Sequence, residues 1–174
     1  MEQTYVIENC KSFNARDIFE CGQCFRWNVQ EDGSYTGIFG KNVLNVKQEP
    51  TGKVMITGIC DGDINEVCRK YFDLDRDYEA IKEKLTNIDE YMKESIKYGE
   101  GIRILNQDLW EMIISFIVSA NNNIPRIKGI IDRMSKKYGI CIVFRGQEYY
   151  TFPTPEALAT ASMEDLRALG LGFR

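Results

Sequence analysis

The apolar residues change their period near Gly62, and this restricts the fold more than any other property of the chain. Ahead of that point Phe25, Trp27 and Val29 alternate with polar neighbours, Asp32-Gly33 makes a turn, and Tyr35, Gly37 and Phe39 alternate again. Lys41-Asn42 leads into Val43 to Val46, and Pro50-Thr51-Gly52 turns the chain into Val54, Met55 and Ile56. A period of two places one face of each segment on a core, so these segments predict a small antiparallel meander. Beyond Gly62 the spacing becomes helical. Asp63 with Glu66 has the form of a capping box, and Ile64, Val67, Cys68, Tyr71 and Phe72 follow at helical intervals. Tyr78, Ile81 and Leu85 begin another helix, and Tyr91, Met92 and Ile96 a third. From about residue 60 onward the chain reads as mostly helical. The expected fold class is therefore α+β: a small antiparallel β-sheet domain with helices over 1 to 99, then a mostly α-helical domain over 100 to 174. Gly99 and Gly101 mark the boundary.

The most distinctive stretch lies in the helical part, at Ser119-Ala120-Asn121-Asn122-Asn123-Ile124-Pro125-Arg126. The helix before it is expected to start at Asn106 as N-cap, with Asp108 and Glu111 placing negative charge in the first turn. Leu109, Ile113, Phe116, Ile117 and Ala120 recur on one side, and Trp110, Ile114 and Val118 make the other side apolar too, so a buried central helix is predicted. The asparagines tolerate left-handed geometry, and their amides either cap helix ends or bind an outside partner. A second helix starts near Pro125. Ile124, Ile127, Ile130, Ile131, Met134 and Tyr138 form its core stripe. Arg126, Lys128, Arg133, Lys136 and Lys137, against the lone Asp132, make the opposite side basic and suited to an anion such as DNA phosphate. On spacing alone, two readings stand side by side: helix caps with a solvated basic face, or a polar reading head on a helical support.

Near the C-terminus Thr154-Pro155-Glu156 starts one helix and Ser162 with Asp165 another, which stops at Gly170. Phe173 beside Arg174 is then either a packing residue or a wedge.

Charge and composition narrow the chemistry. The net charge is −4, but the first 99 residues carry 13 basic against 18 acidic groups and the remainder 9 against 8, so the positive charge concentrates between Arg126 and Lys137. Local contact with DNA fits this better than general affinity for polyanions. The chain contains no histidine, so Ser-His and Cys-His nucleophiles and histidine-ligated metals are excluded. Any base or nucleophile must be a carboxylate, lysine, cysteine or tyrosine. Cys21 and Cys24 have the C-x-x-C spacing, but Cys10, Cys60, Cys68 and Cys141 supply no second pair, so free thiols are expected and no metal or other cofactor. With no long apolar run and no signal peptide after Met1, the expected location is cytoplasmic, nucleoid-associated in a bacterium, with no membrane contact.

Four blocks, in order, carry a family resemblance: Gly22-Gln23-Cys24-Phe25-Arg26-Trp27, then Arg69-Lys70-Tyr71-Phe72-Asp73-Leu74-Asp75, then Ser115-Phe116-Ile117-Val118-Ser119-Ala120-Asn121-Asn122-Asn123-Ile124-Pro125-Arg126, and Leu166-Arg167-Ala168-Leu169-Gly170-Leu171-Gly172-Phe173-Arg174. Together they resemble the 8-oxoguanine DNA glycosylases, a branch of the helix-hairpin-helix glycosylase superfamily. The resemblance implies base-excision repair of damaged double-stranded DNA by base flipping, by a monomer. It implies that Gly22 offers its carbonyl to the N7 hydrogen of 8-oxoguanine. Normal guanine has an acceptor there, so that one contact changes sign between lesion and base. It further implies that Asn121 occupies the vacated position in the duplex and that Arg126 and Arg174 donate to the orphaned cytosine. Phe173 stands where the eukaryotic relatives usually have tyrosine; it keeps the wedging plane and lacks the hydroxyl.

The family's helix-hairpin-helix, its lysine nucleophile and a later aspartate have no counterpart in residues 1 to 174, and no lysine follows Lys137. No catalytic residue is therefore assigned within this chain. Two functional expectations follow. One is a glycosylase/β-lyase whose lysine, supplied by residues beyond this chain, attacks the sugar C1′ and forms a Schiff base. The other is a non-catalytic DNA-binding or lesion-sensing fragment. A glycosylase for alkylated bases is a more remote expectation, disfavoured by Gly22 in its Gly-Gln-Cys-Phe-Arg-Trp setting.

Overall fold

The structure is a computed structural model, and it describes residues 1–8 and 10–172. Five strands form an antiparallel sheet: β1 (Gln3–Ile7), β2 (Trp27–Val29), β3 (Tyr35–Phe39), β4 (Asn42–Gln48) and β5 (Val54–Ile59), in the order β1-β5-β4-β3-β2. The alternation expected from the sequence sets its register. Tyr35 pairs with Val46 and Val46 with Ile56 on one face, while Ile38 pairs with Val43 and Val43 with Ile59 on the other. β1 was not apparent in the sequence pattern. It pairs from Gln3 to Gly58 through Ile7 to Val54 and closes the sheet edge that the meander alone leaves open.

The inner face of the sheet packs on α1 (Ala15–Glu20) and α2 (Ile64–Tyr71). Its centre is Trp27, whose ring stacks on Phe19 at 4.1 Å between centroids and whose Nε1 donates to the Tyr71 hydroxyl at 2.9 Å. Trp27 lies across from Gly37. A Cβ at position 37 would come within 2.3 Å of the indole, so glycine is what lets the ring lie flat on β3. At the start of α2, Asp63 holds the N-cap position, but its carboxylate accepts from Asn65 Nδ2 and not from the helix backbone, so the expected capping box does not form.

α3 (Tyr78–Thr86) and α4 (Glu90–Tyr98) pack mainly on each other, and no side chain of either is fully buried. The segment 101–107 then returns to the sheet core, where Arg103 and Leu105 are buried. Burying an arginine requires that its donors be matched. Its guanidinium donates to the carbonyls of Phe72 (2.9 Å), Ser12 (2.9 Å) and Asp73 (2.6 Å) and lies 4.2 Å from the centre of the Tyr78 ring.

A second core forms around α6 (Ile124–Tyr138), which contributes Ile127, Ile130, Ile131 and Met134; Val118 of α5 (Leu109–Ser119) and Leu169 complete it. Here two expectations need correction. Asp108, not Asn106, caps α5: Asp108 Oδ1 accepts from Glu111 N at 2.9 Å, while Asn106 is engaged with the carbonyls of Lys70 and Tyr71. And α5 is not buried all round. Trp110, Ile114 and Val118 face the core, whereas Leu109 and Phe116 are 71% and 79% exposed, with Met112, Ile113 and Ile117 beside them.

The region after residue 138 also departs from the helical expectation. β6 (Cys141–Phe144) and β7 (Gln147–Tyr150) form a hairpin, and Phe144 packs with Ile38 and Val43 on the outer face of the sheet. Its turn residues Arg145 and Gly146 both have positive φ, 50° and 77°. Arginine at the first of these hid a turn that Asn-Gly would have announced. Two short helices follow, α7 (Pro155–Ala159), capped by Thr154, and α8 (Met163–Ala168), held by the capping box of Ser162 and Asp165 expected from the sequence.

Candidate functional site

Gly22 lies in the loop between α1 and β2, with φ +88°. Its amide neighbourhood is set by Gln23. Gln23 Nε2 donates to the carbonyls of Ile18 (2.9 Å) and Arg103 (2.8 Å), and its Oε1 accepts from Leu105 N (3.0 Å). These bonds clamp the loop to segment 101–107, which runs into α5. Between them opens a cavity of about 320 Å³, walled by Gly22 and Phe25 on one side and by Met112, Ser115, Phe116 and Ser119 of α5 on the other. Gly22 therefore faces the groove between the sheet unit and the helical unit.

Behind this cleft, Arg26 and Glu111 form a buried pair. Their side chains are 9% and 12% exposed, and Arg26 Nη1 stands 3.5 Å from Glu111 Oε2, an ion pair too long for a hydrogen bond. Arg26 also donates to the Tyr150 carbonyl, so one side chain ties the Gly22 loop, α5 and the hairpin together. Burial lowers the pKa of Arg26 and raises that of Glu111, with each partner's charge opposing the shift in the other. Removing either partner would strand a buried charge.

At the far end of α5 the three asparagines divide their work. Asn121 adopts φ +48°, the left-handed conformation its side chain tolerates, and is exposed. Asn122 Nδ2 donates to the Val118 carbonyl (3.0 Å) at the end of α5, and Asn123 Oδ1 accepts from Arg126 N (3.1 Å) as the N-cap of α6. Asn122 and Asn123 are thus caps, while Asn121, two residues beyond Ser119 of the cleft, and Arg126, in the first turn of α6, are both exposed. Phe173 and Arg174 lie outside the described residues.

The basic stripe of α6 is mostly engaged internally, contrary to the expectation of an open face. Lys128 Nζ donates to the Trp27 carbonyl (2.7 Å), Arg133 donates to the Leu169 carbonyl (3.0 and 2.8 Å), Lys136 pairs with Asp132 (3.0 Å), and Lys137 pairs with Asp165. Periodicity reports only that these residues share a side; it cannot register partners contributed by β2 and α8. The bonding roles of Gln23, Gln107 and Arg103, and the pairing of Glu111 with Arg26, also escaped sequence reasoning, since single polar residues leave no periodic trace. Cys21 is exposed and Cys24 buried, its thiol pushed up to about 12 by burial, so the C-x-x-C pair does not form a shared site. Among the described residues no cluster of cysteine and carboxylate side chains could hold a metal ion, and no helix is long and apolar enough to cross a membrane.

A five-stranded sheet with a helical unit clamped against it, and a glycine loop facing α5 across one cleft, is a layout shared with solved DNA glycosylases. The structure of the Clostridium acetobutylicum 8-oxoguanine glycosylase/lyase in its apo form matches with a TM-score of 0.92 and 42% identity, covering 99% of this chain and 61% of that one. The same protein in complex with double-stranded DNA containing cytosine opposite 8-oxoguanine matches with a TM-score of 0.91 and 41% identity, over 99% and 60%. The N-glycosylase/DNA lyase of Saccharomyces cerevisiae is 31% identical over 176 residues, 91% of this chain and 46% of that protein. The chain belongs to the 8-oxoguanine DNA glycosylase family, whose N-terminal domain model matches residues 6–113. It spans about half the length of the curated relatives it matches.

Proposed function

We propose that this chain is the lesion-reading part of an 8-oxoguanine DNA glycosylase/lyase acting in base-excision repair. The observation that carries the reading is the single cleft that joins Gly22 to α5, with the Asn121–Arg126 turn at its end. A flipped base seated there has the Gly22 carbonyl as an acceptor for the N7 hydrogen of the oxidised guanine. Asn121 then fills the vacated stack and Arg126 donates to the orphaned cytosine, with Phe173 as wedge and Arg174 as a second donor. The choice of cytosine as the orphaned base is supported by the Clostridium relative, which was solved in complex with double-stranded DNA containing cytosine opposite 8-oxoguanine. The partner is damaged double-stranded DNA, bound by a monomer in the cytoplasm or on the nucleoid.

The nucleophile in this reading is a lysine supplied by residues beyond this chain. Its amine attacks C1′, the bond to N9 breaks with its electron pair leaving on the base, and the Schiff base formed permits β-elimination at the 3′ side. The proposed organisation is a sheet unit over 1 to 99 and a helical unit over 100 to 174, with segment 101–107 anchored on the sheet unit through the buried Arg103 and Leu105. Borohydride trapping tests the reading: the full-length protein should form a covalent adduct with DNA carrying 8-oxoguanine opposite cytosine and none with undamaged DNA. Failure to trap, with intact binding to the lesion, would leave a lesion-sensing protein instead.

A further inference from the structure

We infer that Gln23 and Gln107 are positioning residues that aim the Gly22 carbonyl and thereby set the discrimination between oxidised and normal guanine, an inference that rests on the function proposed above. The argument starts from what Gly22 lacks. It has no side chain, its φ is +88°, and the space where a Cβ would stand is open, so no side-chain packing at residue 22 fixes its backbone. The peptide joining residues 22 and 23 is planar, so the direction of the Gly22 carbonyl is inherited from the placement of Gln23.

Gln23 is over-determined. Its two amide hydrogens go to the Ile18 and Arg103 carbonyls, its amide oxygen accepts from Leu105 N, and its own carbonyl accepts from Gln107 Nε2 at 2.6 Å. The segment supplying three of these four partners is itself anchored. Arg103 is bound to three carbonyls of the sheet unit, and Asn106 N donates to the Tyr71 carbonyl at 2.9 Å. Gly22, Gln23, Leu105 and Gln107 all line the one cleft. The two glutamines thus transmit the rigidity of the sheet core to a glycine that has none of its own. Rigidity matters there because the lesion and the normal base differ at N7 by a donor against an acceptor, and a carbonyl that swings away loses both the attraction and the repulsion.

The test uses the full-length protein with Gln23→Glu, which keeps the shape but turns a carboxylate toward two carbonyl oxygens, and Gln107→Met, which removes one donor at similar size. Two activities are measured in each variant: single-turnover excision of 8-oxoguanine opposite cytosine, and strand cleavage at a preformed abasic site, which requires no base contact. Excision should fall about tenfold to a hundredfold, the scale of a small misplacement of a reacting group, with abasic-site cleavage close to wild type. Equal loss of both activities would reduce the glutamines to general structural supports and overturn the inference, as would unchanged excision. A wild-type protein that cleaves no 8-oxoguanine DNA would fail the functional reading itself, before any variant is compared. Should Gln23→Glu not fold, as judged by its melting curve, Gln107→Met decides alone, since it alters a partly exposed side chain.

Discussion

A single hydrogen in place of a side chain does different work at positions 37 and 22. At Gly37 the requirement is space, because the Trp27 ring occupies the volume a methyl group would take. At Gly22 the requirement is backbone freedom, with φ +88° and open surroundings. Gly37→Ala should therefore destabilise by about 2–3 kcal/mol through displacement of the indole from a packed core. Gly22→Ala should cost only about 1 kcal/mol through backbone strain. Chemical denaturation of the two variants checks the ranking, and equal losses would show that the indole moves aside freely. Arg126 makes a prediction of another kind. Its side chain is exposed at the turn, and if it reads the orphaned base its replacement by alanine should remove about 1–3 kcal/mol of discrimination among opposite bases. Lys136 and Lys137 pair with Asp132 and Asp165 but stay about half exposed, and an ammonium offers a phosphate charge without a base-edge pattern, so their replacement should weaken binding evenly across sequences. Affinity of the full-length protein for an abasic analogue opposite each of the four bases, at two salt concentrations, separates these outcomes; uniform loss in Arg126→Ala would take it out of base reading.

Among the elements, α6 and α8 were legible in the sequence, down to Pro125 in the first turn of one and the Ser162-Asp165 box of the other, because caps and helical spacing are local properties. The hairpin β6–β7 was not, because its turn begins with arginine and its strands are short. The end of α5 was displaced for a related reason: Asn106 has the right chemistry for a cap, but carbonyls of α2 claim it. α8 also carries a pH dependence. The Lys137 ammonium and the Ser162 hydroxyl beside Asp165 hold its carboxyl down to about 2. A depressed carboxylate contributes stability that is present above its unfolded value near 4 and is lost as the pH falls through about 2. The melting temperature should accordingly fall between pH 4 and pH 2, and the fall should be smaller in Asp165→Asn. An identical profile in the variant would mean that the contact contributes nothing to the docking of α8.

For the whole molecule the informative surface is the outer side of α5. Leu109, Ile113, Phe116 and Ile117, which the sequence reading placed inward, form an exposed apolar face together with Met112. Both sides of the helix are apolar, so its periodicity gave no direction. Which side is buried was decided by the pieces available to cover it: Phe152, Ile130 and Leu169 share the second core with Val118. A polypeptide of residues 1 to 174 should therefore bind a hydrophobic dye such as ANS strongly, and Ile113→Lys with Ile117→Lys should cut that fluorescence without lowering the melting temperature. Loss of stability in the double variant would show that this side is structural in the chain as it stands.

The sequence by itself determined the α+β class, the meander that becomes β2 to β5, the helix starts at Thr154 and Ser162, and an asparagine turn able to cap helices and to adopt left-handed geometry, since each depends on alternation or chemistry within a few residues. Tertiary structure alone decided that β1 closes the sheet, that Arg103 is buried against carbonyls, that Lys128 and Lys137 of α6 are spoken for, and that Gln23 clamps the Gly22 loop across 80 residues to Arg103. Those partners are remote in the chain. A polar side chain states what it can bond to, and only the packed fold states which atom it meets.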